Sequence, residues 1–187
     1  MNASNKQLIY IFGASGSGTT TLGKFLSDAL GYCQIDTDDY LWEQTDPPYT
    51  AKRPPGERLR LMKNDIALQS NVVISGSLTG WGDGLIPQFT LAVRVETETA
   101  VRIARLRRRE HERFGSRIED GGDMQDIHRK LLEWASAYDH GGLEIRSKAM
   151  HDEWQKQLKC PLITVDGDRP PEENLKLIEA AWNSLRA

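Results

Sequence analysis

Eight consecutive residues carry the densest chemistry in the chain: Gly13, Ala14, Ser15, Gly16, Ser17, Gly18, Thr19 and Thr20. They follow a short apolar run, Leu8 to Phe12, and open a segment with apolar residues at Leu22, Phe25, Leu26, Ala29 and Leu30. A glycine-rich turn between a buried strand and a helix can wrap its backbone N–H groups around phosphate oxygens, and the helix start adds a favourable field. The pattern G-x-x-x-x-G-K-[ST] is met at Gly13, Gly18 and Thr20, and the Thr20 hydroxyl is placed to ligate Mg²⁺. Thr19 stands where the pattern has lysine. That ammonium would neutralise β- and γ-phosphate charge, and comparable contacts are worth ~10²–10⁵ in rate. Two other readings compete: a bare turn with no ligand, and a dinucleotide-binding turn of an NAD(P)-dependent oxidoreductase. The second needs glycine where Thr21 or Thr19 stands, although Asp36 or Asp38 could serve as its ribose acid.

Acids and arginines supply the other chemistry. Asp36-Thr-Asp-Asp39 ends a plausible strand from Cys33. One carboxylate there can hold Mg²⁺ through water, and another can orient an acceptor hydroxyl or take its proton. Asp36 and Asp38 fit these separate roles, against the plainer reading of an aspartate-capped turn. Arg102, Arg105, Arg107, Arg108, Arg109, Arg113 and Arg117 crowd one short segment. Arg105, Arg109 and Arg113 are four apart and share one helix side. The plainer reading is a solvated face paired with Glu110 and Glu112. The better reading is a phosphate clamp, since arginine offers planar donors and keeps its charge. These three are the candidates to replace the absent lysine. Gly115, Gly121 and Gly122 would let a lid over about residues 105–122 close on nucleotide. Arg53 could meet an anionic group on the acceptor, and Trp81 falls in a loop near the expected pocket. Trp134, Trp154 and Trp182 lie on apolar helix faces, where core packing is the ordinary role. The four histidines show no ligand spacing.

The elements that must position these residues can be read from periodicity. Helical segments are expected over Thr19–Leu30, Glu57–Gln69 and Glu98–Arg113, then from an Asp123 cap onward with Ile127, Leu131, Trp134 and Tyr138 inward. Two more follow, one with Met150, Trp154 and Leu158, the other with Leu175, Ile178, Trp182 and Leu185. Strands are expected at Leu8–Phe12, Cys33–Asp36, Val72–Ile74, Leu91–Glu96 and Leu162–Val165. Strands alternating with helices imply an α/β three-layer sandwich: a five-stranded parallel sheet with helices on both faces. Ligands gather at the carboxyl ends of such strands, where Gly13, Asp36, Ser75, Glu96 and Asp166 would lie. A length of 187 residues suits a single domain over 1–187.

Composition bounds the partners. A net charge of −3 gives no sign of a nucleic-acid binder. No apolar stretch approaches the ~20 residues of a membrane span, and Met1 to Gln7 has no signal-peptide core. Cys33 and Cys160 fit no metal motif and read as free thiols. A cytoplasmic location, as a monomer or dimer, is expected.

With the loop, the Asp-x-Asp, the arginine segment and Val165-Asp-Gly-Asp-Arg-Pro170 together, the chain resembles the P-loop kinases grouped around shikimate, gluconate and adenylate kinase. It also looks like a set of bacterial kinase-like proteins that share the GASGSGTT string. The resemblance implies a nucleotide-kinase-like fold with a lid, and ATP and Mg²⁺ as cofactors. It implies a phosphate loop at Gly13–Thr20, Asp36 as the Mg²⁺–water carboxylate and Asp38 as the acceptor-binding one. It places Arg105, Arg109 and Arg113 as lid arginines and Gly167 to Pro170 as the adenine loop. The expected reaction moves the γ-phosphoryl of ATP to a small-molecule hydroxyl or a nucleotide. Thr19 keeps open a non-catalytic nucleotide sensor.

Overall fold

The computed structural model describes residues 6–185; the polar stretch before Lys6 lies outside them. Five strands, β1 (Leu8–Gly13), β2 (Cys33–Asp36), β3 (Val72–Ser75), β4 (Leu91–Glu96) and β5 (Leu162–Asp166), form one sheet in the order β2-β3-β1-β4-β5. Every pairing is parallel. The helices are α1 (Thr19–Leu30), α2 (Asp38–Leu41), α3 (Pro55–Leu68), α4 (Thr99–Phe114), α5 (Gln125–Ser136), α6 (Lys148–Trp154) and α7 (Pro171–Ser184).

The pleat of β1 divides the core. Ile9 and Ile11 point to one face, where Leu22 and Leu26 of α1 and Ile178 and Trp182 of α7 meet them. Leu8, Tyr10 and Phe12 point to the other, against Met62 and Ile66 of α3 and Trp154 of α6. This alternation follows from the two-residue strand period. Both faces of β1 and β3 are covered, so these central strands read as apolar runs. Tyr10 stacks between Phe12 and Phe89, with centroids 5.2 and 4.9 Å away, and its hydroxyl accepts from the Leu78 N–H at 3.0 Å.

Local sequence signals set most boundaries. Gly31 takes the left-handed conformation (φ 67°) that ends α1 as a glycine cap. Pro55 starts α3 and Pro171 starts α7, where a missing N–H costs nothing. Two expectations need correction. The cap of α5 is Met124, and no side chain bonds the helix start. Asp123 instead receives Arg117 Nη2 at 2.6 Å, a charged pairing that outcompetes a cap on a neutral amide. Of the residues expected to face inward, Ile127, Leu131 and Trp134 of α5 are only half-buried, while Tyr138, in the turn just beyond the helix, is buried as expected. As expected, α4 runs to Phe114 and breaks at Gly115, where a 3-10 turn, Gly115–Ile118, follows.

One arginine of the crowded segment belongs to the core. Arg102 is 0% exposed. It donates from Nε to Thr97 O at 3.1 Å, from Nη1 to Ala135 O at 3.1 Å and from Nη2 to Asp139 at 2.9 Å. It thereby bolts α4 to the end of α5. Arg102→Ala is expected to cost about 3 kcal/mol of stability in urea denaturation, because it strands buried acceptors and leaves a void. A loss below about 1 kcal/mol would contradict that role.

Candidate active site

A cleft of about 500 Å³ opens at the carboxyl edge of the sheet. Gly13 to Thr20 form its floor. Gly16 has φ 80°, and a methyl there would stand 2.7 Å from Arg102 O, so α4 can lie this close only over glycine. The start of α1 carries no side-chain cap and no acid in its first turn. Its first amides are therefore left to whatever the cleft holds.

The carboxyl ends of three strands converge beside this floor. Thr20 Oγ1 donates to Asp36 Oδ2 at 2.7 Å, and Ser75 Oγ donates to the same oxygen at 3.2 Å. Asp36 Oδ1 accepts the Asp38 N–H at 3.0 Å and so sets the start of α2. Gly76 has φ 110° and no side chain, which lets Thr37 pack directly onto the loop after β3. A hydroxyl and a carboxylate held together at the end of the glycine-rich loop form an all-oxygen donor pair suited to Mg²⁺. Among the described residues there is no cluster of three His, Cys, Asp or Glu that could hold a metal. An ion here would draw its other ligands from water and phosphate, as Mg²⁺ does in kinases and ATPases.

Asp38 lines the cleft, yet protein surrounds it. Desolvation raises its carboxyl above the ordinary range, Arg146 and Arg109 oppose the shift, and Asp36 and Asp39 add to it. Arg105, Arg108, Arg109, Arg113, Arg146 and Arg169 line the cleft against Asp36, Asp38 and Glu112, an excess of positive charge suited to an anion. Arg105 Nη2 donates to Gly167 O at 3.0 Å. Arg113 Nη1 reaches Tyr49 Oη at 3.4 Å, and the Tyr49 ring meets Phe114 edge-on with centroids 6.2 Å apart. Arg117 spans Asp123 and Asp46, the latter at 2.9 Å. The far end of α4 is thus docked on the loop beyond α2.

The residues expected from sequence fall into two groups. The loop, Asp36, Asp38, Arg105, Arg109, Arg113 and Gly167 come together at the cleft. Arg53 and Trp81 lie outside its lining. Arg53 Nη1 donates to Tyr40 O at 2.7 Å and holds the end of α2. Trp81 Nε1 donates to Ser77 O at 3.1 Å, and its ring packs on the core. Pro170 sits behind the lining as the residue before α7, its carbonyl accepting the Glu173 N–H at 3.0 Å.

No protein-family model matches the chain. It is 40% identical over 163 residues to YqaC, an uncharacterized protein of Bacillus subtilis strain 168, across 87% of this chain and 90% of that one. The chain belongs to the YqaC family. Among solved structures it is similar to shikimate kinase from Bacteroides thetaiotaomicron, with a TM-score of 0.58 at 16% identity over 95% of this chain and 98% of that one. It is also similar to deoxyadenosine kinase from M. mycoides, with a TM-score of 0.52 at 16% identity over 96% and 100%. At such identities the likeness is one of fold, and the fold is that of the P-loop kinases.

In this YqaC relative two functional candidates had no local sequence signal. Arg146 comes from the turn before α6, lies 4.4 Å over the Trp134 ring, and has a buried Nε with no partner. Burial lowers its pKa, and Asp38 is the foremost group offsetting that. His151 is 0% exposed; it contacts Ser77 Oγ at 3.2 Å and Tyr138 Oη at 2.8 Å. Burial, with Arg146 and Arg94 nearby, depresses its pKa to about 3, against a small opposing pull from Asp152. Tyr138, pushed up to about 12, keeps its proton and can donate it to Nδ1, which leaves Nε2–H for Ser77. Ser77 lines the cleft, so this buried chain orients a hydroxyl at its wall.

Because the folded His151 refuses a proton that the unfolded chain accepts below pH ~6.5, stability should fall as pH drops from that value toward about 3. Between pH 7.5 and 5 this contributes about 2 kcal/mol, so His151→Gln should lose that much less than the parent in urea denaturation. Equal acid losses in the two proteins would show that the buried imidazole is not held neutral.

Proposed function

We propose that the chain is an ATP- and Mg²⁺-dependent phosphotransferase that acts on a hydroxyl of a small, anion-bearing molecule. The observation that carries this reading is the 2.7 Å contact of Thr20 Oγ1 with Asp36 Oδ2 at the end of the glycine loop, with Asp38 on the same cleft. The loop amides and the start of α1 would bind the phosphates. Gly167 and the Arg105 guanidinium would flank the base, with Pro170 behind them. Thr20 and Asp36 would hold Mg²⁺, which supplies charge neutralisation at the β- and γ-phosphates.

Asp38 would orient the acceptor hydroxyl. As its oxygen forms the new bond to the γ-phosphorus, the bond from that phosphorus to the β-bridging oxygen breaks. ADP leaves with the electron pair, and the hydroxyl proton passes to Asp38. The raised pKa of Asp38 would make it a stronger base for that proton than an ordinary aspartate. Two adjacent carboxylates disfavour a phosphate as the attacking group. Arg146, desolvated and short of partners, is suited to an anionic group elsewhere on the acceptor, the role that Arg53 is not placed to fill.

The sheet order speaks against the dinucleotide alternative. A ribose-binding acid ends the strand beside β1 in that fold. Here β3 lies between β1 and β2, and Asp36 is engaged with the glycine loop instead. A nucleotide sensor is the second reading. It is favoured by Thr19 and by the docking of Arg113 and Arg117 on the loop that carries Tyr49 and Asp46.

ADP release should be followed with MgATP and a panel of hydroxy acids, sugar acids and nucleosides. Turnover with an anionic hydroxyl compound is expected. Asp38→Asn should lower it ~10²–10⁴-fold with MgATP affinity kept within about threefold. Tight MgATP binding with no turnover across the panel would favour the sensor.

A further inference from the structure

Three buried polar side chains run in line from the core to the cleft wall, and the proposed transfer uses none of them. Tyr138 Oη meets His151 Nδ1 at 2.8 Å, and His151 Nε2 meets Ser77 Oγ at 3.2 Å. Ser77 Oγ also meets Thr79 Oγ1 at 2.8 Å. Of the three, Ser77 is the one that lines the cleft. The His151 ring stands edge-on to Phe12 and to Tyr138, with centroids 5.4 and 5.5 Å away, so packing holds it in place.

The line has a direction. Among the described residues, Tyr138 Oη hydrogen-bonds His151 alone. A neutral phenol facing a ring nitrogen donates to it, and burial keeps the phenol protonated. The neutral ring then carries its own proton on Nε2 and donates it to Ser77 Oγ. A hydroxyl has one proton and two lone pairs, and one lone pair of Ser77 is now taken. Thr79, only half-buried, can donate its proton to the other. The proton of Ser77 is then left for the cleft.

Ser77 also stands near Asp38. Thr37 N donates to Ser75 O at 2.8 Å, and Thr37 Oγ1 packs where any side chain on Gly76 would collide with it. The residue after each member of that contact, Asp38 and Ser77, lines the cleft. Arg146 lines it too, and its charge acts on both Asp38 and His151. We propose that Ser77 donates a hydrogen bond to a second oxygen of the acceptor, close to the hydroxyl that Asp38 orients, and that His151 and Tyr138 are positioning residues that hold Ser77 in this donor role. The inference rests on the phosphotransferase reading and narrows its acceptor to a polyhydroxylated anion. An acceptor with one hydroxyl would leave the Ser77 proton unpaired in a water-poor corner, and a site built to bond an oxygen rejects the analogue that lacks it.

The test has two arms, both on the full chain. Proton–nitrogen NMR of the His151 ring, assigned by its loss in His151→Gln, should show the proton on Nε2 and a bare Nδ1. Turnover with MgATP is then compared between aldonates and their singly deoxygenated forms. For one such pair the parent should prefer the complete acceptor ~10–100-fold in kcat/KM. Ser77→Ala should cut that preference to below about threefold while the KM for MgATP stays within about twofold. Tyr138→Phe fills the same space but frees Nδ1, so the preference should fall at least about threefold although Ser77 is still present. A merely structural role for Tyr138 would leave the preference unchanged. A proton on Nδ1 in the parent, no preference in any pair, or a preference that survives either substitution would overturn the proposal and leave the phosphotransferase reading intact. No turnover of MgATP with any acceptor, these or the wider panel, would overturn both.

Discussion

The hydrogen bond from Thr20 Oγ1 to Asp36 Oδ2 ties the loop after β1 to the end of β2, a strand that is not its neighbour in the sheet. Much of the cleft follows from that tie. It requires β3 to end level with both, and Ser75 meets this by donating to the same carboxylate oxygen. It requires the chain after β3 to turn away without a side chain, which Gly76 allows as Thr37 closes in. It requires α1 to begin at once after Gly18, so that Thr20 lies in the first turn. Gln34 Nε2, bonded to Thr20 O at 2.8 Å, steadies the same turn. The hydroxyl and carboxylate are thereby prearranged, so little ordering entropy would remain to be lost if a ligand bound there.

Charge on the opposite wall is arranged by helix geometry. Along α4 the arginines divide by direction. Arg102 turns inward and becomes structural, shielded by Asp139 and backbone carbonyls. Arg105, Arg109 and Arg113 share the cleft side, each engaged at a different depth. The contacts at Tyr49, Phe114 and Asp46 dock the end of this helix on the loop beyond α2.

What the sequence made legible was what depends on neighbours along the chain. The α1 boundaries, the five strands and the glycine-rich turn rest on periodicity and glycine placement, and the structure has them within a residue of those expected. Arg146 and His151 had no such signal. Their importance comes from Trp134, Asp38, Ser77 and Tyr138, distant in sequence and brought close only by packing. Arg53 and Trp81 were placed by loop position, yet backbone carbonyls nearby satisfy them more cheaply than a ligand would. Asp123 shows the same competition, since a facing guanidinium outweighs a helix cap. Trp134 looked like core because of its helix phase, and it instead forms the floor beneath a cleft arginine.

On the proposed reading, this glycine loop grips a triphosphate without a lysine. Phosphorus NMR of ATP titrated with the protein, with and without Mg²⁺, addresses it directly. The expected result is Mg²⁺-dependent shifting and broadening of the β- and γ-phosphorus resonances at stoichiometric protein, lost in Thr20→Ala. Unchanged resonances, or changes indifferent to Mg²⁺ and to Thr20, would contradict the account.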